Sequence, residues 1–191
     1  MTNIAIFASG SGTNAEAIMT HFADSAAGRV ALLLSNRADA FVLTRAERFG
    51  VPATVFSREE FLDPAGRVAL LLQEYRIDFI VLAGFLWLVP EFLTTAYAGR
   101  IVNIHPALLP KFGGKGMYGD RVHRAVIEAG ERQSGITIHR VNERYDSGDT
   151  LFQTTVAVEA DDTPESLAAK IHELEHRHFP AVIERTIRGL Q

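Results

Sequence analysis

The chain has 191 residues, 47% of them hydrophobic, with a formal net charge of −4 and a pI near 6.0. That supplies one sizeable core and no basic excess of the kind that draws nucleic acid. There is no cysteine, which excludes disulfides and thiolate zinc sites. MTNIAIF lacks the basic start of a signal peptide and the longest apolar runs are too short to span a bilayer, so a soluble cytoplasmic protein is expected.

Residues 3–8, NIAIFA, form an apolar run suited to a buried parallel strand. SGSGTN follows at 9–14, and then a helix through about His21. Strand, glycine-rich turn and helix together aim backbone N–H groups at an anion. Gly10 and Gly12 permit close approach, and Ser11, Thr13 and Asn14 add side-chain donors. No Lys-Ser/Thr pair follows the second glycine, and Ala15 breaks the G-x-G-x-x-G fingerprint. What remains is a seat for a single phosphate or carboxylate. The plainer alternative is a tight strand–helix turn capped by Thr13 or Asn14.

Strands are expected at 29–35, 51–56 and 77–83. Between them lie a helix from Ala38 to Phe49 ended by Gly50, and one opened by Ser57 with Glu60 as a capping box. Asp63-Pro64 interrupts the second helix, which resumes from Arg67 to Tyr75; a short helix over Pro90–Tyr97 comes later. This alternation through residue 110 predicts an α/β fold with a doubly wound, mostly parallel sheet.

RIVNIHPALLPK at 100–111 is the most informative stretch. Ile101, Val102 and Ile104 make it a strand, and side chains alternate, so Asn103 and His105 share a face. Pro106 and Pro110 then close a short apolar turn. An amide and an imidazole at the carboxyl end of a strand stand where open α/β sheets place ligands. The amide can bind an oxyanion and the imidazole can move a proton; a satisfied core histidine is an equal reading of these residues alone.

Beyond Pro110 the pattern changes. KFGGKGMYGD at 111–120 is a loop, Arg121–Ala129 a helix, and 135–142 and 150–158 are strands, the first with one polar face. They make an antiparallel C-terminal extension. Thr163 caps the last helix, Pro164 takes its first position, and Leu167, Ile171, Leu174, Phe179, Val182 and Ile183 supply its core face. Asp146, between the two strands, is a candidate partner for His105 or an ordinary turn aspartate. HELEH at 172–176 is a literal H-E-x-x-H, but no third ligand is marked and the zinc-peptidase reading is the weaker one.

FASGSGTN at 7–14, LLSNRADA at 33–40, VLAGFL at 81–86, NIHPALLPK at 103–111, SGITIHRVN at 134–142, YDSGD at 145–149 and the EH at 175–176 together cover nearly the whole chain. In these stretches it resembles the folate-dependent formyltransferases, and among them those that formylate glycinamide ribonucleotide in purine synthesis. The resemblance implies a Rossmann-like formyltransferase fold, one domain over 1–191, with a nucleotide-binding half at 1–110 and a folate-binding and C-terminal half at 111–191. It implies 10-formyltetrahydrofolate as co-substrate, glycinamide ribonucleotide as acceptor, and no metal, nucleic acid or membrane; a homodimer stays open.

By the same resemblance Asn103, His105 and Asp146 are the catalytic trio. Gly10, Ser11, Gly12, Thr13 and Asn14 are the phosphate seat, and Glu175 holds the ribose hydroxyls, which gives HELEH another purpose. Leu82, Ala83, Gly84, Phe85, Leu86 and Trp87, with His139, Glu143, Tyr145, Ser147 and Gly148, wall the folate pocket. Members of the family often carry Arg after the GF of the pocket strand, where this chain has Leu86-Trp87. Its loop after Lys111 is longer, either a lid or a plain surface loop. Other folate-dependent formyltransferases and a formyltetrahydrofolate hydrolase are the alternatives. The chain ends at Gln191 without a basic tail, which argues against a tRNA substrate.

Overall fold

Alternation along the first strand decides the layering. The structure, a computed structural model, describes residues 1–190. In β1 (Thr2–Ala8), Ile4, Ile6 and Ala8 point to one side of the sheet. There they pack with Ile18 and Met19 of α1 (Thr13–Phe22) and with Ile171, Phe179 and Ile183 of α7 (Pro164–Arg188). Ala5 and Phe7 point to the other side, against Phe61 of α3 (Arg58–Leu62) and Val68 and Leu72 of α4 (Arg67–Glu74). A strand buried on both faces needs apolar residues at every position, which is why NIAIFA reads as one run.

The remaining strands are β2 (Gly28–Ser35), β3 (Ala53–Val55), β4 (Phe79–Leu82), β5 (Ile101–His105), β6 (Gln133–Arg140) and β7 (Thr150–Ala157). They form one 7-stranded sheet in the order β3-β2-β1-β4-β5-β6-β7. Pairings from β3 through β5 are parallel; β5–β6 and β6–β7 are antiparallel. The expected doubly wound sheet and its antiparallel extension are therefore a single layer. Strand order reverses between β1 and β4, and at such a switch point the connections leave to opposite faces and open a crevice at the carboxyl ends. The glycine turn leaves β1 and the segment 83–87 leaves β4 at that crevice.

Several boundaries differ from expectation for local reasons. The helix expected from Ala38 begins only at Val42, as α2 (Val42–Arg48). Ser35 Oγ accepts from the Arg37 N–H at 3.2 Å and Arg37 pairs with Asp39, which holds the segment in a turn. The Val42 N–H then donates to Gly10 O at 3.2 Å, binding the helix start to the glycine turn. The strands at 51–56 and 77–83 are trimmed at both ends, and α5 (Glu91–Ala96) and α6 (Asp120–Glu128) fall where expected. Ser57 and Glu60 form the capping box, and Thr163 caps α7 with Ser166 as its reciprocal partner. In the expected core face of α7, Leu174 is only half-buried; the other five positions are buried.

The polar face of 135–142 is turned inward. Thr137 and His139 are 0% and 2% exposed. Thr137 Oγ1 donates to Ala107 O at 2.7 Å and accepts from the Leu109 N–H at 3.0 Å, so it pins the turn that follows His105. Among the described residues no helix is long and apolar enough to cross a membrane.

Candidate active site

Asn103 and His105 lie on one face of β5, and the antiparallel neighbour β6 sets His139 directly opposite Asn103. The loop between β6 and β7 carries Asp146 over the same place. His105 Nδ1 lies 3.6 Å from Asp146 Oδ2, and Asn103 Nδ2 donates toward Asp146 Oδ1 at 3.5 Å. Asp146 Oδ2 accepts the Gly114 N–H at 2.9 Å. The three residues expected to work together do meet, and His139 joins them.

Proton positions follow from the outer contacts. His105 Nε2 is 2.8 Å from Phe112 O, which can only accept, so Nε2 carries a hydrogen. In the neutral ring Nδ1 is then a lone pair beside the Asp146 carboxylate. His139 Nδ1 likewise donates to Arg140 O at 2.8 Å. Its Nε2 sits 3.2 Å from Asn103 Nδ2 and 3.5 Å from Asp146 Oδ1. Neutral, it accepts from Asn103; protonated, it donates to Asp146.

Burial pulls the His105 pKa below the ordinary 6.5, and the Asp146 charge and the Phe112 hydrogen bond only partly oppose this. Burial alone would raise Asp146, but the contacts with His139, His105 and the Gly114 N–H outweigh it and hold the carboxyl below the ordinary range. The pair at rest is therefore a neutral imidazole beside a carboxylate. Such a pair takes up a proton at Nδ1 and stabilises the cation that results.

These groups line a cavity of about 980 Å³, and the glycine turn with Glu175 lines it as well. Gly10, Ser11, Gly12, Thr13 and Asn14 all contribute to its wall. Neither Thr13 nor Asn14 caps α1; the N-cap is Gly12, left-handed at φ 76. A Cβ on Gly12 would overlap Val42 Cγ2 and stand 2.9 Å from Val42 Cα. Gly12→Ala is therefore expected to cost about 2–4 kcal/mol, from the left-handed backbone and forced repacking together. Urea denaturation measures this, and an unchanged midpoint would show that the turn has room to spare.

Glu175 projects from α7 to meet the turn, and Asn14 Nδ2 donates to its Oε2 at 2.9 Å. The residue is 6% exposed, and burial pushes its carboxyl up from 4.5 to about 7, with the Asn14 hydrogen bond opposing. A folded-state value above the unfolded one means that the fold holds the proton more tightly. That stabilisation is complete below about pH 4.5 and is lost as pH rises through about 7. Glu175→Gln removes the ionisation, so it is expected to be more stable than the parent at pH 8, by roughly 3 kcal/mol, and level with it near pH 4. Thermal melts at the two pH values decide this; a variant less stable at pH 8 would mean that the carboxylate is well solvated.

Leu82, Ala83, Gly84, Phe85, Leu86, Trp87, His139 and Tyr145 line the cavity; Glu143, Ser147 and Gly148 do not. Glu143 is exposed, and Ser147 Oγ donates to Asn142 Oδ1 at 2.9 Å inside the loop. Gly148 packs against Arg140 O so closely that no Cβ would fit, and so shapes the loop rather than its pocket face. Trp87 does not stand free in the cavity. It packs edge-on to Phe56 and Phe85, with the Arg58 guanidinium 5.6 Å above its ring.

The largest departure from expectation is the loop after Lys111. Phe112 O and the Gly114 N–H hold His105 and Asp146, so the loop builds the site instead of merely covering it. Its glycines signalled tight backbone, but nothing local to KFGGKG says which carbonyl meets which imidazole. His123 and His172 also line the cavity, and sequence reasoning left both unassigned for this purpose. His172 and His176 stack with ring centroids 6.3 Å apart. Among the described residues no group of His, Cys, Asp and Glu is arranged to hold a metal ion.

Residues 2–183 match the family described as formyl transferase. The chloroplastic phosphoribosylglycinamide formyltransferase of Arabidopsis thaliana is 45% identical over 94% of this chain and 63% of its own length, so the chain spans somewhat less than two thirds of that relative. The phosphoribosylglycinamide formyltransferase of Bacillus subtilis (strain 168) is 36% identical over 98% of this chain and 95% of its own length. The solved glycinamide ribonucleotide transformylase 1 of Symbiobacterium toebii superposes with a TM-score of 0.90 at 37% identity, covering 99% of this chain and 89% of its own.

Proposed function

We infer the reaction from one premise: this chain belongs to the formyl transferase family. It transfers the formyl group of 10-formyltetrahydrofolate to the amine of glycinamide ribonucleotide, a step of purine biosynthesis. The observation that carries this reading is the meeting of Asn103, His105 and Asp146 in the same cavity as an anion-binding turn. The near-full-length likeness to the Bacillus enzyme supports the acceptor.

The nucleotide phosphate takes the backbone N–H groups and side chains of residues 10–14 at the start of α1, and Glu175 accepts from the ribose hydroxyls. Residues 1–110 thus supply most of the nucleotide site. The folate ring lies between the 82–87 segment and the Tyr145–Asp146 loop, with the 111–191 half closing over it. The cationic side chains of Arg37, Lys115, Arg121 and Arg144 around the cavity suit two anionic substrates.

The substrate amine attacks the formyl carbon and a tetrahedral intermediate forms. Asn103 gives its Nδ2–H to the developing oxyanion, releasing Asp146, the longer of its two contacts. His105 Nδ1 takes the proton that the amine sheds and passes it toward N10 of the folate as the C–N bond breaks. Asp146 stabilises the imidazolium in between, and Phe112 O keeps the ring from turning.

The test is to mix protein, glycinamide ribonucleotide and 10-formyltetrahydrofolate and follow deformylation of the folate. Absence of turnover dependent on the ribonucleotide would end this reading. Deformylation at the same rate without any amine would point to a hydrolase.

A further inference from the structure

His123 has an unusual place in the cavity. It is the fourth residue of α6, 2% exposed, and it lines the cavity. Its Nδ1 is sealed from solvent with no hydrogen-bond partner. A buried, unpartnered imidazole nitrogen costs stability and is rare outside functional sites. Nε2 makes no hydrogen bond to the protein either, and the residue lines the cavity. Both His172, one turn before Glu175 on α7, and His105 lie close enough to disfavour a charge on this ring, with burial as the main cause. Burial thus keeps the imidazole neutral in a cavity that Glu175 and His105 also line.

We propose that His123 binds the glycinamide arm of the acceptor, its Nε2 hydrogen-bonding the carboxamide that joins ribose to amine. The proposal rests on the acceptor assigned above. That arm is the part of the substrate that must reach from Glu175 to His105, and His123 lines the cavity that holds both. A carboxamide offers both a donor and an acceptor, so either tautomer of a neutral imidazole can serve it. His123 is a positioning residue in this account: it sets the reach of the amine and moves no proton.

Two ligands separate the roles. Ribose 5-phosphate carries the phosphate and the sugar but no glycinamide arm. His123→Leu is expected to weaken glycinamide ribonucleotide binding about three- to tenfold, as loss of one neutral hydrogen bond does, and to leave ribose 5-phosphate binding unchanged. His123→Gln, which can still offer an amide, recovers most of the difference. Equal weakening of both ligands, or none, overturns the proposal. Should the leucine variant fail to fold, wild-type protein with ¹⁵N-labelled histidine gives the answer: the His123 ring signals shift with glycinamide ribonucleotide and not with ribose 5-phosphate. Signals that ignore the ribonucleotide overturn the proposal. If wild type neither binds nor formylates glycinamide ribonucleotide, the acceptor itself is wrong, which is a separate result.

Discussion

His105→Ala is expected to lower kcat by about a hundred- to ten-thousandfold, the range for a positioned acid–base group. The structure makes this residue hard to replace. Its Nε2–H is committed to Phe112 O at 2.8 Å, so the neutral ring always presents the Nδ1 lone pair to the cavity and to Asp146. Burial holds its pKa below 6.5, so the base form dominates at neutral pH. Water entering the truncated site would be neither oriented by Phe112 nor a comparable base. The ring is 3% exposed, and its loss strands the Phe112 carbonyl, so a stability cost of about 1–3 kcal/mol should accompany the rate loss. Single-turnover formyl transfer, read beside a thermal melt, separates the two effects. A folded variant with near-normal kcat would remove His105 from the chemistry.

Asp146→Asn is expected to lower kcat/KM by about a hundredfold or more and to change the shape of its pH dependence. Asparagine is the right probe here. Asp146 sits at φ 50, a left-handed conformation that asparagine also accepts, and an amide oxygen can still take the Gly114 N–H. The charge goes, and with it the acceptor that faces Asn103 Nδ2. The carboxylate raises the His105 pKa against burial, so without it that pKa falls further. The acidic limb of the kcat/KM profile, where His105 loses its proton and becomes a base, should then move to lower pH. The rate on the plateau drops because the imidazolium formed during transfer has lost its counter-charge. A limb that moves to higher pH, or a plateau within a few fold of wild type, would show that Asp146 does not act through His105.

The same two residues show how far sequence reasoning reaches. Asn103 and His105 were legible as a pair because strand periodicity is local: two residues apart on an apolar strand share a face whatever else the chain does. The anion turn was legible for a similar reason, since a glycine-rich break between an apolar strand and a helix exposes N–H groups by its own geometry. Asp146 could be named as a candidate from its place between two strands, but only the resemblance raised it above an ordinary turn aspartate. Its loop sequence is ordinary for a turn, and its nearness to His105 comes from β6 pairing antiparallel with β5, a contact between residues far apart in the chain.

By itself, then, the sequence determined the α/β alternation, the strand that carries the amide and imidazole, and the turn that faces an anion. Each of these follows from periodicity or backbone chemistry within a few residues. The tertiary structure alone decided that His139 completes the group around Asp146, that Phe112 and Gly114 hold the two catalytic candidates, and that Thr137 faces inward to pin the Pro106–Pro110 turn. It alone left His123 Nδ1 buried without a hydrogen-bond partner. The physical reason is that hydrogen-bond partners for buried groups are chosen by packing. A carbonyl or an imidazole carries no local mark of its partner until the sheet, the loop and α6 close around it.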